Sequence, residues 1–160
     1  MLLRDDVEST LRKSPLFSAM SAADLHEVLD DFDEQVFPAG HRVVVEGMVG
    51  QEFFVILAGT ADVLIEGTRV ATLGPGDFFG ETAMLGGTPR TASVVARTQL
   101  SCVCLPNASV LRVVTQRPRL VVNLVATLVG RLRRADAELA RRSAVPTLEV
   151  LRPLAGPASS

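Results

Sequence analysis

A chain of 160 residues with 48% apolar side chains has enough material for one domain and its core, which excludes disorder throughout. Its 16 Lys and Arg against 18 Asp and Glu leave a formal charge of −2, so it makes no global electrostatic claim on nucleic acid. Two cysteines, Cys102 and Cys104, and two histidines, His26 and His41, are too few for a disulfide scaffold, a four-thiolate zinc site or a multi-histidine metal centre.

The first ten residues, MLLRDDVEST, place acids where a secretory signal needs a basic start and an apolar run. The longest apolar stretches fall far short of the roughly 20 residues of a membrane span. The expectation is a soluble, cytoplasmic chain. Lys13 is the one lysine among the basic residues, a hint of a GC-rich bacterial source. Residues 3–13 predict a short helix that stops at Ser14-Pro15, because the residue before proline avoids the helical region. Ser21-Ala22-Ala23-Asp24 reads as a capping box opening a second helix to about Asp31, with Leu25, Val28, Leu29 and Phe32 on one face. Asp24, Glu27, Asp30, Asp31, Asp33 and Glu34 read as its solvated acidic face.

From Phe32 to Leu105, short β-rich runs alternate with glycines. The runs are Glu34–Phe37, His41–Glu46, Glu52–Ala58, Thr60–Glu66, Arg69–Leu73, Arg90–Ala96 and Gln99–Leu105, the pattern of an all-β sandwich or barrel. Glu66-Gly67 reads as a hairpin turn. Cys102 and Cys104, two apart on one run, share a face and read as small apolar core residues. After Leu105 helical periodicity returns. Pro106–Gln116 is one short helix, and Pro118 opens the next at its first position, where the missing N–H costs nothing. Val121, Val125, Leu128, Leu132, Ala135 and Leu139 step by 4, 3, 4, 3, 4, a heptad seam to about Arg142. Residues 131–142 carry five Arg against Asp136 and Glu138, a modestly basic helix that does not read DNA by itself. Residues 143–160, with Pro146, Pro153 and Pro157, read as a flexible tail.

The informative segment runs from Gly74 to Val94. A Gly-rich turn leads into a short helical stretch, Glu81 to Leu85, whose exposed N–H groups suit an anion. Arg90, beyond a second Gly-rich turn, can return over that pocket and clamp the anion with its fork. Glu81 would repel a purely anionic guest, yet suits one that also carries hydroxyls, as a ribose does. Acid for sugar and Arg for phosphate together describe a nucleotide with one compact phosphate. The bland alternative is a structural ion pair between Arg90 and Glu81, which without a guest could join each other. Phe78 and Phe79 read as core rather than base-stacking residues.

At these residues the chain resembles the cyclic nucleotide-binding domain family of catabolite activators, cAMP-dependent kinase regulatory subunits and cyclic-nucleotide-gated channels. The family's phosphate-binding cassette reads Phe-Gly-Glu-x-Ala-Leu, a variable loop, then Arg-(Ala/Ser/Thr)-Ala-(Ser/Thr)-Val. Here it stands as Phe79-Gly80-Glu81-Thr82-Ala83-Met84, Leu85 to Pro89, and Arg90-Thr91-Ala92-Ser93-Val94, with nine residues from acid to Arg. Pro38-Ala39-Gly40, residues 53–59, Leu73-Gly74-Pro75-Gly76-Asp77-Phe78, and Pro15-Leu16-Phe17 before Ser21 are also similar to the family's pattern. The resemblance covers residues 14 to about 142.

The resemblance implies a mainly β fold with flanking helices: an eight-stranded-type double-stranded β-helix (jelly-roll) barrel over 32–105, N-terminal helices, and C-terminal B and C helices over 106–142. Residues 1–13 form an N-terminal helix, and 14–142 the domain. It assigns Arg90 to the exocyclic phosphate oxygens and Glu81 to the ribose 2′-hydroxyl. Gly80, Ala83, Thr91 and Ala92 offer backbone N–H groups. Thr82 and Met84 replace common leucines without disturbing polar contacts. A Thr after the Arg, as Thr91, is often associated with tolerating cGMP, and cAMP-preferring channels carry it too. The implied ligand is cAMP or cGMP, with no other cofactor and no catalysis. Serine-triad, metal and Gly-Lys-Ser/Thr motifs are missing from the sequence. The heptad helix, 118–142, has two uses: a lid, on which Arg131, Arg133 or Arg134 could cap the base, or a homodimer seam. Two further readings are a vestigial dimerisation module and the effector domain of a transcription regulator. The latter needs a helix-turn-helix, for which the Pro-rich stretch after Arg142 is too short, so this chain alone is not expected to bind nucleic acid.

Overall fold

The computed structural model describes residues 4–81 and 88–143. The chain divides into two compact units, Met1–Val125 and Ala126–Ser160. The first opens with α1 (Arg4–Lys13) and α2 (Ala22–Leu29), close to the predicted bounds. Ser21 is the N-cap of α2: its Oγ accepts the Asp24 N–H at 3.1 Å and donates to Asp24 Oδ2 at 2.7 Å.

Eight strands follow: β1 (Asp33–Phe37), β2 (Arg42–Val44), β3 (Glu52–Ala58), β4 (Ala61–Ile65), β5 (Thr68–Leu73), β6 (Phe78–Phe79), β7 (Ser93–Ala96) and β8 (Leu100–Pro106). They form two antiparallel four-stranded sheets, ordered β1-β8-β3-β6 and β2-β7-β4-β5. The chain crosses from one sheet to the other at every step except β4 to β5, which is the jelly-roll order. The expected barrel is not closed: the described strands hydrogen-bond into two separate sheets.

Between the sheets lie Val44, Phe54, Ile56, Val94, Leu100, Cys102 and Cys104, among others, with Phe79 stacked on Phe54 at 4.9 Å. β3 buries five successive residues, Phe53 to Leu57, because its second face meets helices α1 and α3 (Asn107–Gln116). A strand covered on both sides needs an unbroken apolar run rather than alternation. Phe78 is buried on that helix-facing side against Phe53, ring centroids 5.4 Å apart. Both Phe78 and Phe79 are therefore core residues.

Two runs fall three residues short of what the sequence predicts. β2 ends at Val44 and β7 begins at Ser93, because residues 45–49 leave the sheet to meet 89–90 instead. The Gly47 N–H donates to Arg90 O at 2.8 Å, and the Arg90 N–H to Met48 O at 2.9 Å. β6 escaped prediction because two residues carry no period.

Helix α4 (Pro118–Ser143) starts at the predicted proline, and Leu120 and Leu124 bury its first turns in unit one. The acidic run around α2 is more than a solvated face. Arg117, at the non-helical joint between α3 and α4, reaches Glu27 at 2.5 Å and Asp24 at 3.4 Å. Arg4 pairs with Asp30 at 2.6 Å, and Arg112 pairs with Asp31. The arginines come from 26 to 93 residues away, so periodicity within α2 could not reveal them.

In the second unit α4 continues to Ser143, with Leu132 and Leu139 exposed. Residues 144–160, which include nearly all of the predicted tail, lie outside the described residues. No described helix is long and apolar enough to cross a membrane.

Candidate functional site

The candidate site gathers at one end of the sandwich, around Arg90. Its backbone is pinned by the two hydrogen bonds to Gly47 and Met48 and by the Val49–Pro89 bridge. Its guanidinium turns inward, and the residue is only 5% exposed. Nη1 donates to Gly80 O at 3.0 Å and Nη2 to Glu52 O at 2.9 Å. Two glycines make the seat. A Cβ on Gly50 would lie 2.4 Å from Nη2 and 2.6 Å from Nε, so a side chain there would force the guanidinium to shift. Gly80 has φ +83°, and a Cβ on it would come within 2.6 Å of Glu52 O and 3.0 Å of Nη1.

Burial pushes the Arg90 pKa below its ordinary value, while the carboxylates of Glu52 and Glu81, in that order, act to hold the proton. A guanidinium stays protonated in proteins, so the result is a desolvated cation whose hydrogen bonds run to neutral carbonyls. Five N–H donors radiate from such a group, and each carbonyl engages one. The arrangement can hold an anion from the side away from the carbonyls.

Of the residues singled out in the sequence, the structure brings Gly80, Glu81 and Arg90 together. Gly80 closes β6, and Glu81, half-buried, begins a helical turn and acts on Arg90 electrostatically. Thr82 and Ala83, with the rest of the predicted turn to Gly87, lie outside the described residues. Thr91 is exposed and Ala92 half-buried, both in the bend between Arg90 and β7. Ser93 is buried, and its Oγ accepts the Glu46 N–H at 2.9 Å, a structural use. On α4, Arg133 and Arg134 are exposed, and Arg134 Nε donates to Gly130 O at 3.3 Å within the helix. Among the described residues no His, Cys, Asp and Glu group is placed to hold a metal ion.

Glu52 and Gly50 escaped sequence reasoning. Gly50 left only a faint signal, a third glycine close before a strongly apolar run. Glu52 left none, since its carbonyl meets an Arg 38 residues later.

Cys102 and Cys104 are free, buried thiols in the inter-sheet core. Desolvation raises their pKa values to about 12 and about 11, so both are protonated and inert near neutrality.

A jelly-roll order with a buried Arg seated beside a Gly-Glu turn defines a class, and comparison with known proteins gives the family. The chain belongs to the cyclic nucleotide-binding domain family, which it matches over residues 34–117. It is 36% identical over 95 residues to the cAMP-dependent protein kinase regulatory subunit of Neurospora crassa, covering 58% of this chain and 25% of that one. To the subunit of the same name from Eremothecium gossypii it is 39% identical over 105 residues, covering 65% of this chain and 22% of that one. The chain thus spans about a quarter of the curated relatives it matches. Its fold is similar to the crystal structure of the Thermus thermophilus catabolite activator protein, with TM-score 0.72, 31% identity, and coverage of 81% of this chain and 63% of that one.

Proposed function

We propose that this chain is a regulatory sensor of a cyclic nucleotide, cAMP or cGMP. Arg90 takes the exocyclic phosphate oxygens and Glu81 accepts the ribose 2′-hydroxyl. Gly80, Ala83, Thr91 and Ala92 offer backbone N–H groups, and Thr82 completes the cassette. The observation that carries the reading is the desolvated guanidinium of Arg90, held on two carbonyls and flanked by two carboxylates, in a chain of this family. A purely structural Arg would gain more from a direct carboxylate partner, whereas this one offers its charge to a guest.

The ligand acts by population shift: it favours one arrangement of the helices 106–142 by its differential affinity for the two. Support comes from the α3–α4 joint, where Arg117 leaves the helical region at φ −135°, ψ 78°. A second copy meets the chain along α4, a reading supported by the exposed side chains of Val121, Val125, Leu132 and Leu139.

Titration with cAMP, cGMP and 5′-AMP tests the reading. Cyclic nucleotides are expected to raise the melting temperature, and Arg90→Ala to weaken binding at least tenfold, since each charge-assisted contact is worth roughly 1.5–3 kcal/mol. Arg90→Ala titrating like wild type overturns the role of Arg90. No response to any nucleotide leaves a vestigial module.

A further inference from the structure

The site contains a second carboxylate with no part in the roles above. Glu52 opens β3, and alternate residues of a strand share a face. Phe54 and Ile56 point into the inter-sheet core, so Glu52 points the same way from the strand's open end, where its side chain is exposed. That end is where Arg90 lies, donating Nη2 to the carbonyl of Glu52 itself at 2.9 Å.

We propose that Glu52 sets the charge of the guest: its carboxylate at the mouth of the Arg90 seat favours a phosphodiester with one negative charge over a phosphate monoester with about two. The proposal rests on the cyclic-nucleotide reading and deepens it. Among the charged groups acting on Arg90, Glu52 precedes Glu81. Glu81 has a use on the sugar, whereas Glu52, exposed at the rim, faces the incoming phosphate with charge alone. A phosphodiester brings one charge, and a monoester about 1.5 to 2 at neutral pH. Repulsion scales with the charge of the guest. For charges separated by several ångström at an effective dielectric between those of a protein surface and water, one unit costs roughly three- to tenfold in affinity. Glu52 therefore weakens both guests and the monoester more. The ring of a cyclic nucleotide is then recognised partly through the charge it removes.

The test is displacement of a fluorescent cyclic nucleotide by cAMP and by 5′-AMP, at low salt and pH 7.5, on wild type, Glu52→Gln and Glu52→Lys. Glu52 is exposed, so both variants are expected to melt close to wild type. Glu52→Gln should bind cAMP about threefold more tightly. The preference for cAMP over 5′-AMP should narrow about threefold with Gln and further with Lys, and 0.5 M salt should compress the series. A graded response to charge is one that a merely structural residue would not give. If wild type binds cAMP but Glu52→Gln binds it no more tightly, or the preference is the same in all three proteins, the proposal falls and the cyclic-nucleotide reading stands. If wild type binds neither nucleotide, both fall.

Discussion

Arg90 does two things at once, and two substitutions separate them. Its guanidinium ties β6 to the start of β3 through the carbonyls of Gly80 and Glu52, and on the proposed reading its charge also holds the guest's phosphate. Arg90→Ala removes both, leaving two carbonyls without their donors at about 1–3 kcal/mol each where they stay dry. Arg90→Lys keeps the charge but loses the planar fork, so one ammonium must serve carbonyls and guest together. The expected order of melting temperature without ligand is wild type, then Lys, then Ala, read by calorimetry. If Ala melts with wild type, the two carbonyl contacts contribute nothing to the fold. The buried thiols give a prediction on the alkaline side. Cys102 and Cys104 hold their protons to about 12 and about 11 in the folded chain, above the ordinary thiol value. Their contribution is complete below the unfolded thiol pKa of about 8.5 and is lost as pH rises through the folded values. Neither thiol should react with a disulfide reagent at pH 8 until denaturant is added. Rapid labelling of the native chain would contradict their burial.

Helix α2 shows what one stretch of sequence can and cannot announce. Its start was legible because the cap is local: Ser21 and Asp24 are three residues apart and bond each other. Ser21→Ala should cost about 1 kcal/mol, read by denaturant midpoint. The pair also fixes an acid-side slope. The Ser21 hydroxyl, and after it Arg117, holds the Asp24 carboxyl below the usual carboxylate range. That contribution is present above the unfolded value of about 3.9 and fades as pH falls through the folded one. Between pH 5 and pH 3, Ser21→Ala should therefore lose melting temperature less steeply than wild type. The partners of Glu27 and Asp31 were not legible, because Arg112 arrives from α3 and Arg117 from the joint after it. The site divides in the same way. Gly80, Glu81 and Arg90 stand within one short segment, where an acid and an Arg beside Gly-rich turns exposed Glu81 and Arg90, and the family resemblance added Gly80. The seat beneath Arg90 is made of a backbone carbonyl and a missing Cβ on a distant loop, and neither is written in side-chain chemistry. β6 was lost for a third reason, since its two residues are too few to show alternation.

At the scale of the whole molecule, the heptad and the core compete for α4. Leu120 and Leu124 face the core of the first unit, one position before the seam residues Val121 and Val125, which are left outward. Because successive residues of a helix lie about 100° apart round its axis, a helix can present one stripe to its own domain and a second to a partner. Leu132 and Leu139, each 61% exposed, extend the second stripe beyond the point where the first unit ends. Covering such a stripe is worth roughly 25 cal/mol for each Å² of apolar surface removed from water. A single chain leaves that gain unrealised along the seam, and a twin laid against the same a and d positions recovers it. Equilibrium sedimentation should therefore find a dimer. Leu132→Glu with Leu139→Glu should shift it to monomer at the same concentration, because each knob then brings a charge into an apolar contact. Neither side chain is buried in the single chain, so the melting temperature of the monomeric variant at high dilution should match that of wild type at the same dilution. A wild type that stays monomeric at hundreds of micromolar would leave the seam without this partner. A variant that stays dimeric would move the interface off α4 altogether.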